Sequence, residues 1–170
     1  MKNGRLNWII TVIDQITDKT GLVGSWCSVL MVVVMVLVVI LRYGFQFGSI
    51  ALQESITYLN CLIFTFGVAY TLKEDAHVRV DVIYSKLSRK MKALIDLCGS
   101  VIFLALTAGF ILWTSWEYVS VSWRIREGSA ESSGLPYVYI LKTSILAIPI
   151  MLLMQGFSES LKAYKIIQKN

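Results

Sequence analysis

GLVGSWCSVLMVVVMVLVVIL, from Gly21 to Leu41, runs for twenty-one residues without a single charge. A helix rises 1.5 Å per residue, so this stretch alone covers a hydrocarbon core about 30 Å thick. Three further apolar runs follow. Ala51 to Leu72 opens with Gln53 and Glu54 and is uncharged from Ser55 onward; Ala93 to Trp116 is the third; Pro136 to Phe157, with Lys142 near its start, is the fourth. The chain is 56% apolar and 16% charged, against about 25% charged in soluble domains, and has too few polar side chains to cover a water-facing surface. The fold expected is an all-α integral membrane protein. It comprises a single membrane domain over 1–170, with spans at 21–42, 51–72, 93–116 and 136–157, the third continuing past the bilayer toward Arg126.

Residues 1–20 place Leu6, Ile9, Ile10, Ile13 and Ile16 at helical spacing beside Trp8. This predicts an amphipathic helix lying in the interface, with no cleaved leader, because the first long apolar run starts late and is too long for a signal peptide. Residues 73–92 form a basic loop and 158–170 a tail. Of the sixteen Lys and Arg residues, an orientation with both termini inside places twelve on the cytoplasmic side and four outside, as the positive-inside rule requires. The basic balance therefore reports topology, and nucleic acid is not an expected partner; membrane lipids are.

Trp113, Trp116, Tyr118 and Trp123 gather where the third span leaves the bilayer. With Trp8 and a snorkelling Lys142 they read as interfacial anchors. The residues Gly128, Ser129, Ser132, Ser133 and Gly134 supply a turn before Pro136, which suits the first turn of a helix, and Pro149 predicts a kink in the last span. Cys27, Cys61 and Cys98 stand singly in apolar runs and read as small packing residues.

Within the spans, Gln53, Thr57, Asn60, Gly67 and Thr71 share one stripe, with Glu54 at its edge. Polar groups avoid lipid, so this stripe should meet another helix, as should Ser100, Thr107 and Thr114 at heptad spacing; Gly24 and Ser28 form a small-xxx-small pair. A transport pathway needs several intramembrane ionisable groups facing one cavity, and the stripe brings one. The single His77 excludes a bis-histidine haem anchor, and no phosphate loop, catalytic triad or metal-ligand cluster appears. The chain is expected to be no enzyme and to hold no cofactor.

Leu41-Arg42-Tyr43, then Gln53-Glu54 opening the second span, Gly67-Val68-Ala69 near its end, His77-Val78-Arg79-Val80-Asp81 in the basic loop and Pro149 in the last span together resemble the small, DctQ-like membrane subunit of tripartite ATP-independent periplasmic (TRAP) transporters. The resemblance extends from about Leu41 to the end of the fourth span. Members of that family usually open span two with two acidic residues, and here only Glu54 carries over. The resemblance implies a subunit of the bacterial inner membrane that partners a large multi-span subunit and a periplasmic substrate-binding protein. It further implies sodium-coupled import of an organic acid of the sialic acid or C4-dicarboxylate type, the large subunit moving its site like an elevator against a static scaffold. Arg42, Gln53, Glu54, Thr57, Asn60 and Gly67 would then face the partner subunit, and His77, Arg79 and Asp81 would form a membrane-surface loop motif. The competing readings are an autonomous homo-oligomeric transporter or channel and a membrane anchor for a redox complex.

Overall fold

The computed structural model describes residues 2–74 and 87–169. All regular structure among them is helical: α1 (Lys2–Gly44), α2 (Ile50–Lys73), α3 (Arg89–Cys98), a π-helical segment (Gly99–Leu104), α4 (Ala105–Ile125) and α5 (Val138–Lys169). Four helical stretches are long and apolar enough to cross a membrane: Gly4–Gly44, Ile50–Lys73, Lys90–Ile125 and Val138–Gln168. α5 lies centrally and touches every other helical element, while α1 packs chiefly on α2.

The interior is narrow. Ala69, Ala93, Ala108, Val119 and Ala163 are its buried apolar residues, and Thr17, Thr65, Ser122, Gln155 and Ser158 are buried beside them. Small side chains let backbones approach where lipid, as apolar as leucine, offers no hydrophobic drive to associate. Gly21 shows how close the approach is, since a Cβ there would stand 2.7 Å from the Tyr70 ring. Gly24 lies against Phe66 and the backbone of α2, and a Cβ on Gly156 would meet Leu104 at 2.8 Å.

Residues 2–20 do not form a helix of their own. They continue α1 without a break, giving 43 residues and a length of about 65 Å. Nothing between Asp18 and Gly24 interrupts the ladder: there is no proline, Gly21 keeps a negative φ, and Thr17 is fully buried, so the segment stays in line with the span. α5 likewise runs through the expected tail to Lys169. It starts at Val138, leaving Pro136 two residues ahead of the first helical turn, and continues through a fully buried Pro149.

The π-helical segment was not foreseeable from periodicity. π turns hold more residues than α turns, so a heptad count carried through Gly99–Leu104 loses its face. Accordingly Thr107 and Thr114 point outward, and the packed seam of α4 runs through Ala108, Val119 and Ser122. Thr114 satisfies its hydroxyl on its own helix, donating to the Phe110 carbonyl at 2.9 Å.

Candidate functional site

At the end of the bundle opposite the chain termini, Ser49 caps α2, its hydroxyl accepting from the Leu52 N–H at 3.3 Å. One turn on, Glu54 reaches across to the α4–α5 loop. One carboxylate oxygen accepts from the Ser129 hydroxyl and the other from the Leu135 backbone N–H at 2.6 Å. The loop closes on itself through Ser129 N–H to the Leu135 carbonyl at 3.1 Å and Gly134 N–H to the Glu131 carbonyl at 3.0 Å. Gly134 is required by this closure, because a Cβ there would collide with the Ser129 side chain and stand 2.6 Å from the Glu54 carboxylate. The residue that resembles a family partner-contact position is thus engaged within its own chain, as the clasp of a loop.

A second clasp stands beside it. Arg126 ends α4 in the left-handed region at φ 47°, and the turn delivers Glu127 to Lys142, with Nζ and the carboxylate 2.6 Å apart. The Lys142 ammonium also lies 4.0 Å from the centre of the Tyr118 ring, a cation–π contact. Its hydrogen bond from Lys142 holds the Glu127 carboxyl below the ordinary carboxylate range. Lys142 thereby ties α5 to α4 and the loop. Trp123 adds to the same tie, donating through Nε1 to the Thr143 hydroxyl at 2.9 Å and meeting Tyr139 edge to face at 4.8 Å.

The end that carries both termini holds a cluster that the sequence did not single out. Thr17 donates to the Gln155 side-chain carbonyl at 2.7 Å, and the Gln155 amide donates to Asp14 at 3.1 Å and Glu159 at 2.9 Å. Ser158 donates to Asp14 at 2.9 Å, and Lys162 bridges Asp14 at 2.8 Å and Glu159 at 2.7 Å. Thr17, Gln155 and Ser158 have no exposed surface. Lys73 at the end of α2 pairs with Asp18 of α1 and lies 3.5 Å from Glu74. The available signal was Gln155 interrupting an apolar run, followed at helical spacing by Ser158, Glu159 and Lys162.

The remaining candidates scatter. Arg42 is exposed and has no ion pair among the described residues, with Glu54 or any other group. Gln53, Thr57 and Asn60 lie on the outward face of α2, while nothing comes within 4 Å of a Cβ built on Gly67. Trp8, Trp113, Trp116 and Trp123 are all exposed. His77, Arg79 and Asp81 lie outside the described residues. Among the described residues no group of three or more His, Cys, Asp or Glu side chains is placed to hold a metal ion.

No curated protein and no solved structure gives a significant match to the chain. The family described as tripartite ATP-independent periplasmic transporters, DctQ component, matches residues 31–164. That region takes in most of the chain: the C-terminal part of α1, all of α2, the loop clasped by Glu54 and most of α5. The chain belongs to this family, the DctQ component of the tripartite ATP-independent periplasmic transporters, a family of transporter components.

Proposed function

We propose that this protein is the non-catalytic scaffold subunit of a sodium-coupled transporter in a bacterial inner membrane. It works with a large multi-span subunit and a periplasmic substrate-binding protein to import an organic acid, of the sialic acid or C4-dicarboxylate type. Both termini face the cytoplasm, an orientation supported by the twelve-to-four distribution of Lys and Arg.

The observation that carries this reading is where the charges are spent. A carrier needs ionisable groups converging on a cavity within the membrane. Here Glu54 and the Glu127–Lys142 pair close one end of the bundle, and Asp14, Glu159 and Lys162 with the Asp18–Lys73 pair close the other. Each is engaged in holding one helix to another or to a loop. Such an arrangement resists sliding between helices, which is the mechanical requirement of a frame beside a moving neighbour. The exposed Trp8, Trp113, Trp116 and Trp123, and the basic loop with His77, Arg79 and Asp81, fix its depth at the two membrane surfaces.

Purification in mild detergent from cells that also express the large subunit tests the reading. A stable one-to-one complex is expected. Self-association without the large subunit would favour the homo-oligomeric transporter or channel instead.

A further inference from the structure

We propose that the outward face of α2, centred on Asn60, is the surface covered by the large membrane subunit, and that the covering helix presents hydrogen-bonding side chains at the depth of Asn60. The inference rests on the scaffold reading and adds to it which face of the bundle docks.

α2 packs on α1 and α5 and buries Thr65 and Ala69. The other side presents Gln53, Thr57, Asn60 and Phe64, all exposed. Asn60 lies six residues beyond Glu54, about 9 Å further along the axis and inside the hydrocarbon region. Its side chain makes no hydrogen bond among the described residues. A carboxamide carries two N–H donors and a carbonyl; a hydroxyl satisfies itself on the preceding turn, as Thr71 does on the Gly67 carbonyl at 2.8 Å, but an amide is not satisfied that way. An unpaired amide facing lipid is unfavourable, and Asn and Gln in membranes bond across helices.

The other outward faces lack such a group. The π-helical segment and α4 present Phe103, Leu106, Phe110 and Trp113, and α1 presents Val29, Val32, Val33 and Val36, all suited to acyl chains. Gln155 is buried; Asn7 and Gln15 lie on α1 ahead of its uncharged run, Gln46 lies in a loop, Gln53 opens the second run and Gln168 lies beyond the fourth. Among the described residues, Asn60 is therefore the exposed amide set deepest within the four apolar runs at 21–42, 51–72, 93–116 and 136–157, with Gln53 on the same face where its run opens. Two turns on, the open surface over Gly67 lets a neighbouring backbone come near. Glu54 is turned into its own loop, so recognition along this face is by uncharged hydrogen bonds. Lipid offers no partner to that pattern, and the large subunit of a DctQ-containing transporter is the neighbour that does.

The test uses the full chain co-expressed with the large subunit, with a photoreactive p-benzoylphenylalanine placed at position 60 or, separately, at position 110. Irradiation is expected to join position 60 to the large subunit and to leave position 110 without a protein adduct. Asn60→Leu should weaken retention of the large subunit about three- to twentyfold, the range for one interhelical hydrogen bond, while Asn60→Gln restores most of it. Both variants should keep the thermal midpoint of the isolated chain. If the complex co-purifies but position 110 alone forms the adduct, or position 60 joins to a second copy of the same chain, the face is wrongly assigned while the scaffold reading stands. If the two proteins do not co-purify before any substitution, both the face and the reading beneath it are overturned.

Discussion

The Glu54 carboxylate on α2 accepts a hydrogen bond from the backbone N–H of Leu135, 2.6 Å away and 81 residues later in the chain. Together with the bond from Ser129, it fastens the α4–α5 loop to the first turn of α2. A carboxylate at the opening of a span is then explained without assigning it to a transport pathway. Hydrogen bonds to a charged acceptor are shorter and stronger than neutral ones, and helices that share one such clasp cannot shift along each other without breaking it.

Gly134 must be small for that clasp to close, so Gly134→Ala should lower stability by about 1–3 kcal/mol, the usual range for overpacking. The effect should shrink in a Glu54→Ala background, where one of the colliding groups is gone. Thermal unfolding of the two single variants and the double variant checks this: additive losses would show that Gly134 and Glu54 are not coupled.

Gln155 joins three helical side chains in a fully enclosed site, and Gln155→Leu keeps the volume while removing every hydrogen bond. It should destabilise the protein by about 1–3 kcal/mol, since the Thr17 hydroxyl loses its acceptor and the carboxylates lose a donor. Gln155→Glu should be worse, because it brings a further carboxylate against Asp14 and Glu159. A detergent-solubilised thermal scan of both variants against the parent chain provides the measurement.

The Glu127 carboxyl is held below its ordinary value of 4.5 by Lys142. A depressed carboxylate contributes stability that is present above the unfolded value and lost as pH falls through the lower folded value. The Glu127–Lys142 clasp should therefore be constant at neutral pH and fade only in acid below 4.5. The difference in thermal midpoint between the parent chain and Glu127→Gln, followed from pH 7 downward, should stay level and then close in that window; a difference that opens or closes between pH 6 and 8 would assign the behaviour to another group.

Orientation is open to a direct check at the α1–α2 loop. A cysteine introduced at exposed Gln46, in a background lacking the three native cysteines, should react with a membrane-impermeant maleimide added outside intact inner-membrane spheroplasts, whereas one at Asn7 should react only after permeabilisation. The reverse pattern would invert the bundle.

The four spans were legible because lipid imposes a crude rule, a long uncharged run, and Gly21 to Leu41 satisfies it by length alone. The basic residues outside those runs supply an expected direction for the chain, which the maleimide experiment checks. The separation of residues 1–20 was misread because an apolar stripe beside Trp8 suits an interfacial helix as well as the start of a long span; what decides is the burial of Thr17 against Gln155, a contact between residues 138 positions apart. The π-helical segment left no mark on composition, and beyond it the packed face of α4 runs through Ala108, Val119 and Ser122 while Thr107 and Thr114 stay exposed. On α2 the polar stripe was visible, but its division was not: Glu54 and Gln53 are neighbours in sequence, and only the folded loop separates the side chain turned inward from the face left bare.

The most direct measurement of the central claim is solute uptake by proteoliposomes under a sodium gradient, with sialic acid and a C4-dicarboxylate as labelled candidates. Vesicles holding this chain alone should accumulate neither acid above protein-free controls, and vesicles holding it with the large subunit and the periplasmic binding protein should accumulate one of them only when sodium is supplied. Gradient-driven accumulation by this chain alone would contradict the account.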